Sequence, residues 1–402
     1  MWACQYGELT INVVEAIDNM NIKRFFKLTI RKIILWLPLN KHKVVFISFD
    51  GGNYSCNPKY IAEEMLKRKK FKIYWLYSEQ KLNDFSDFPK GVKLVPMKTL
   101  SELYHLSTCG TIIANNRTAI WQRFNKKTGQ LYIQTWHGNM CFKKIEADAP
   151  GLGQDYIQLA KQDSKNADYL LCGSKWRKKT CFEHSFFYDG VITEFGLPRN
   201  DILLSADKAQ IKQKVCQKLN IPVSSNILIY APTFRDSGSL QPYSLDYEKL
   251  YNILRKKFGG DWFIISRLHP NLASIDNVLP LVSYVVDGSK YPDMQELLMV
   301  SDLMITDYSG CAFDFMLTKR PIFLFATDIP EYTHERDFYF PLQSTPFPIS
   351  ETNQQLLHVI ENFDAEKYLL RIEEYISQCG FYDTGTASIQ CVNLIEARHA
   401  KQ

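Results

Sequence analysis

Three arginines and two histidines stand where short apolar runs break into polar turns, and each can hold or move charge. His137, in Gln134-Thr-Trp-His-Gly-Asn139, directly follows one such run. An imidazole there can take a proton from an attacking hydroxyl near neutral pH, and Gly138 lets backbone or substrate come close. Ser266-Arg-Leu-His-Pro270 repeats the arrangement, with Arg267 and His269 placed to give a phosphate charge-assisted hydrogen bonds. Ala231-Pro-Thr-Phe-Arg-Asp236 brings Thr233 and Arg235 to another strand end, and Gly196-Leu-Pro-Arg-Asn-Asp201 brings Arg199 and Asn200 within reach of a phosphate. Asp201 reads as a helix cap. One motif of this kind is commonly a surface ion pair or a packed core histidine. Basic motifs at three strand ends are hard to explain by packing.

A further stretch, Asp302 to Phe315, reads as an apolar strand, then a polar turn around Asp307, Tyr308, Ser309 and Gly310, then a helix. Unsatisfied N–H groups and the helix dipole both favour an anion at such a turn. Asp307 and Asp314 either bind a ribose hydroxyl or order the turn. Together these positions suggest an enzyme that holds a nucleotide diphosphate and transfers part of it. Neither Gly-x-x-x-x-Gly-Lys-Ser nor Gly-x-Gly-x-x-Gly occurs, which disfavours a P-loop ATPase or a dinucleotide enzyme. No paired acidic motif asks for a metal, and no cofactor is called for. The ten cysteines are scattered without a Cys-x-x-Cys pair, so neither a zinc site nor a disulfide framework is expected.

The elements that must position these residues follow from the alternation of short apolar strands with helical stretches, the signature of parallel sheets wrapped by helices. A chain of 402 residues is long for one core. The expected architecture is α/β, with two doubly wound Rossmann-like domains facing a cleft: an acceptor domain over 43–198 and a donor-nucleotide domain over 199–370. A helical segment over 371–402 follows and packs back across them.

Residues 1–42 form a membrane-associating segment. Between 22 and 37, Ile22, Phe25, Phe26, Ile30, Ile33, Trp36 and Leu37 share one helical side, and most of Lys23, Arg24, Lys27, Arg31 and Lys32 the other. A basic amphipathic helix with aromatic residues on its apolar face reads as an in-plane membrane anchor. No run approaches the roughly 20 apolar residues of a membrane span, and the first residues lack a signal peptide's basic start. A cytoplasmic protein, peripheral at the inner face of the membrane, is expected. The net charge of +5 asks for no nucleic-acid partner.

In this order the motifs resemble the CDP-glycerol glycerophosphotransferase family that builds teichoic acids and related capsular polymers. Gln134-Thr-Trp-His-Gly138, Gly196-Leu-Pro-Arg-Asn-Asp201, Ala231-Pro-Thr-Phe-Arg-Asp236, Arg267-Leu-His-Pro270 and Ile305-Thr-Asp-Tyr-Ser309 carry the likeness, over roughly residues 44 to 375. The resemblance implies a GT-B-like fold, a CDP-activated polyol phosphate as donor, and a lipid-linked or polymeric acceptor. It also implies that His137 acts at the acceptor and His269 at the donor phosphates. Asn139 and Gly310 stand where the family usually has Thr and a second Ser. The polyol stays open between glycerol and ribitol. A nucleotide-sugar transferase of the same fold is the neighbouring alternative, and a non-catalytic scaffold the alternative from another class.

Overall fold

An unbroken apolar run such as Leu303-Met-Ile-Thr306 leaves no alternate positions for water, so it suits a strand covered on both faces. The computed structural model describes residues 29–401 apart from 83, 206, 236–239 and 269–278, and it buries that run completely. Among the described residues the strands form two sheets, every pairing parallel. The first contains β1 (Asn40–Ile47), β2 (Lys72–Tyr77), β3 (Val92–Pro96), β4 (Cys109–Ala114), β5 (Leu131–Gln134), β6 (Tyr169–Leu170) and β7 (Val191–Ile192), in the order β3-β2-β1-β4-β5-β6-β7. The second contains β8 (Asn226–Ala231), β9 (Trp262–Ser266), β10 (Val285–Asp287), β11 (Leu303–Thr306), β12 (Ile322–Phe325) and β13 (Ile349–Ser350), in the order β10-β9-β8-β11-β12-β13. Each sheet reverses its strand order once, between β1 and β4 and between β8 and β11. Ligands of doubly wound sheets enter at the carboxyl ends of such reversals. The two domains face one another in a GT-B-like arrangement.

The helices start and stop on local chemistry. Asp364 accepts from the Lys367 N–H to open helix Ala365–Cys379, and Gly380, at φ +62°, ends it in the left-handed region. That helix buries Tyr368 and Ile372 in the second domain. The next, Ala387–Ala400, crosses back: Cys391, Val392 and Ile395 are buried with Val44, Ile61 and Ile133 of the first domain.

Asp201 accepts from the N–H groups of Ala387 and Ser388, so it caps this distant helix rather than the one following it in sequence. At the other end of the chain, residues 29–36 are helical. Ile34 packs on the first domain, while Ile30, Ile33 and Trp36 face outward, Trp36 at 89% exposure. Residues 22–28 of the amphipathic segment lie outside the described residues. None of the described helices is long and apolar enough to cross a membrane.

Candidate active site

Strand β5 delivers His137 to the carboxyl edge of the first sheet. The imidazole Nδ1 lies 2.7 Å from the Asn115 carbonyl, just past β4, and a carbonyl only accepts, so Nδ1 carries the proton. Trp136 stacks on the ring at 4.3 Å and Phe49 meets it edge-on at 5.6 Å. The Nε2 lone pair has no protein partner among the described residues. Burial, then the charges of Arg199, Arg177 and Lys143, lower the histidine pKa to about 4 against the opposing Asn115 bond. His137 is therefore a neutral, fixed-tautomer base at neutral pH. A Cβ on Gly138 would meet Arg177 Nη2 at 3.6 Å and Arg199 Nη2 at 4.0 Å, ordinary contact, so packing alone does not require glycine there.

The second sheet opens between β8 and β11 into a cavity of about 520 Å³ lined by Thr233, Arg267, Ser309, Gly310, Lys143 and Arg336, among others. The Ser309, Gly310 and Cys311 N–H groups have no acceptor among the described residues. The helix they begin, Cys311–Phe315, has only five residues, so these N–H groups matter more than its dipole. Arg267 reaches the Gly288 and Ser289 carbonyls at 2.6 and 2.9 Å, and that of Tyr291, all through Nη1. Lys143 comes from the first domain's His137 loop. Burial and then Arg336 lower its pKa against the opposing Cys141 and Asp307, and among the described residues no carboxylate forms an ion pair with it.

The two mouths are joined. Arg199 Nη1 donates to the His137 carbonyl at 2.6 Å, and Nη2 pairs with Asp314 on the helix after Gly310. A Cβ on Gly310 would come within 3.0 Å of the Met140 carbonyl, so the missing side chain admits the His137 loop against the anion turn.

The structure corrects several sequence expectations. Arg199, Asn200 and Asp314 are buried and bond one another across this interdomain joint, while Arg199 Nε and Asn200 Oδ1 have no partner among the described residues. Asp314 is held above the ordinary carboxylate range by burial, partly offset by Arg199. Arg235 is also committed: it pairs with Asp328 at 2.6 Å and Asp307 at 2.9 Å, beside the stacked Tyr308 and Tyr332 rings at 4.9 and 4.6 Å. Asp307 orders the turn, accepting from the Thr233 N–H and hydroxyl and from the Tyr308 N–H. Asn139 is fully buried, donating to Asp383 at 2.7 Å, so this departure from the family pattern lies beneath the cleft rim. His269 and Asp236 lie outside the described residues. Sequence reasoning missed Lys143 and Arg336, which stand in an irregular loop and at the end of helix Ile329–Arg336, without a telling spacing. Among the described residues no three His, Cys, Asp or Glu side chains gather as metal ligands.

The sequence pattern of the CDP-Glycerol:Poly(glycerophosphate) glycerophosphotransferase family matches residues 29–397. A teichoic acid poly(glycerol phosphate) polymerase of Bacillus subtilis (strain 168) is 30% identical over 371 residues, covering 89% of this chain and 49% of the polymerase. A teichoic acid glycerol-phosphate transferase of Staphylococcus aureus (strain NCTC 8325 / PS 47) is 30% identical over 372 residues, covering 89% of this chain and 93% of the transferase. The chain thus spans about half the length of the first of these curated relatives. The solved structure of a variant of the wall teichoic acid polymerase TagF soaked with CDPG superposes with a TM-score of 0.79 at 29% identity, covering 97% of each chain.

Proposed function

The chain belongs to the CDP-glycerol:poly(glycerophosphate) glycerophosphotransferase family, and from that premise we propose that it moves glycerol phosphate from CDP-glycerol to a hydroxyl of a lipid-linked or polymeric acceptor. CMP is released, in teichoic acid or capsular polymer synthesis. Lys143 carries this reading: a partly buried ammonium with no carboxylate partner among the described residues faces three open N–H groups. Such a charge is unfavourable until an anion joins it. The donor diphosphate is that anion. Its charge lies among Lys143, Arg267, Arg336 and the N–H groups of Ser309, Gly310 and Cys311, with His269 joining from its place in the sequence.

His137 Nε2 takes the acceptor proton as the acceptor oxygen attacks the phosphorus bearing glycerol. The bond from that phosphorus to the CMP oxygen breaks, and the cations take up the leaving charge. Positioning and electrostatics dominate transfers of this type, so a site without a protein nucleophile suffices. A base with a pKa of about 4 is weak, but an adjacent diphosphate stabilises the imidazolium and brings that pKa back up. The outward Ile30, Ile33 and Trp36, flanked by Arg31 and Lys32, support peripheral attachment at the inner membrane face.

The test is to incubate the full chain and a lipid-linked acceptor with CDP-glycerol, CDP-ribitol and UDP-sugars. CMP release from CDP-glycerol is expected. Release from CDP-ribitol alone changes the polyol, UDP release makes the protein a sugar transferase, and no nucleotide binding by calorimetry leaves a scaffold. Vesicle sedimentation of a Trp36→Ser variant checks the membrane arm, with weaker binding to anionic vesicles expected.

A further inference from the structure

Beneath the His137 loop lies a pair of thiols that the transfer does not use. Cys141, partly exposed, and Cys181, buried, hydrogen-bond one another. Both also accept from a single nitrogen, Arg177 Nη1, at 3.3 and 3.5 Å. The Arg177 side chain is buried, its Nε donating to the Asn139 carbonyl, with the Trp176 and Phe182 rings at 5.9 and 5.7 Å. Among the described residues no carboxylate pairs with it. A guanidinium removed from water needs a counter-charge, and the acidic groups in contact with it are thiols.

We propose that Cys141 and Cys181 are an oxidation site, closed by a hydroperoxide to a disulfide that fixes the His137–Lys143 loop against the segment Lys178–Phe182. The Cys141 thiolate attacks one peroxide oxygen, the O–O bond breaks, and hydroxide leaves a sulfenic acid. The Cys181 sulfur then attacks that sulfenic sulfur. The S–S bond forms, the S–O bond breaks, and the departing hydroxide takes the Cys181 proton as water. Two thiols lose two electrons in all, and the peroxide is reduced to two waters.

Three features make Cys141 the first to react. The hydrogen bond from Cys181 and the Arg177 charge hold its thiol below the ordinary range despite burial. The Lys143 carbonyl, 3.2 Å from the same sulfur, accepts only while Cys141 is protonated, so two donors oppose one acceptor. Elsewhere burial pushes Cys109, Cys172 and Cys311 up to about 12, leaving little thiolate there. Cys141 also lies between the base His137 and the cation Lys143 in sequence, so a bond to Cys181 constrains both.

The experiment treats the full chain with hydrogen peroxide, alkylates the remaining thiols, and digests without reductant for mass spectrometry. A peptide linking Cys141 to Cys181, lost on adding dithiothreitol, is expected. The Cys181→Ser variant should instead give a Cys141 sulfenic acid that dimedone traps. CMP release should fall at least tenfold on oxidation and recover on reduction, an arm that alone rests on the proposed transfer. Linkage among other cysteines, or peroxide consumption with both thiols free, overturns the site. A linked peptide with unchanged turnover overturns the constraint on the loop.

Discussion

At the mouth of the first sheet, beside the ends of β4 and β5, stands an imidazole whose surroundings keep it neutral, with one proton on Nδ1. At the mouth of the second, between β8 and β11, stand cations and open N–H groups. Both mouths are products of the same strand winding, 3-2-1-4 and onward. Topology therefore supplies a place for chemistry and does not choose it; the residues after each strand do. The division is not clean by domain, because Lys143 is contributed to the anion mouth by the loop that carries His137.

The largest test of the contrast is His137→Ala. Removing a general base should cut CMP release by about 10²–10⁴-fold with the circular dichroism spectrum unchanged; near-normal turnover would remove the base from the first mouth. Arg235→Ala should act on stability instead. It leaves Asp307 and Asp328 without their cation, a loss of about 3–5 kcal/mol in urea unfolding, and little loss there would mean that Arg235 is not the strut described. Lys143→Met should weaken donor binding by about 1.5–3 kcal/mol, the worth of a hydrogen bond to a charged group, read by calorimetry. Unchanged affinity would break the assignment of the second mouth.

The smallest effect is on pH. Protonating His137 stops it acting as a base, so the acid limb of kcat/KM should fall near the lowered pKa of about 4. With donor bound, the diphosphate favours imidazolium, and the limb of kcat should stand at higher pH. Coincident limbs would mean that the two mouths do not sense each other. For stability the sign is set by the unfolded histidine, which holds its proton up to about 6.5. Between that pH and about 4 the unfolded chain binds more protons, so the His137 contribution is complete above this window and lost as pH falls through it.

Much of this was readable in advance, for identifiable reasons. Strands such as Leu131–Gln134 and Leu303–Thr306 announce themselves because both faces are covered, and their ends mark the two mouths. The place of His137, just past β5, was legible through its strand end. The same rule did not foresee the partners of Arg199 and Arg235, because Asp314, Asp307 and Asp328, which pair with them, are distant in sequence. Lys143 and Arg336 were invisible for the converse reason: irregular backbone and a helix terminus bring them to the cavity, with no periodicity to read. The return of Ala387–Ala400 to the first domain was foreseen only as a segment packing across both, since its apolar side does not name the surface it covers.

That helix has a consequence for how the chain is made. Cys391, Val392 and Ile395 complete an apolar core whose other members leave the ribosome far earlier, so one side of the first sheet, covered in part by Ile61 and Met65, waits for its last piece until the second domain has been synthesised. The half that begins first finishes last.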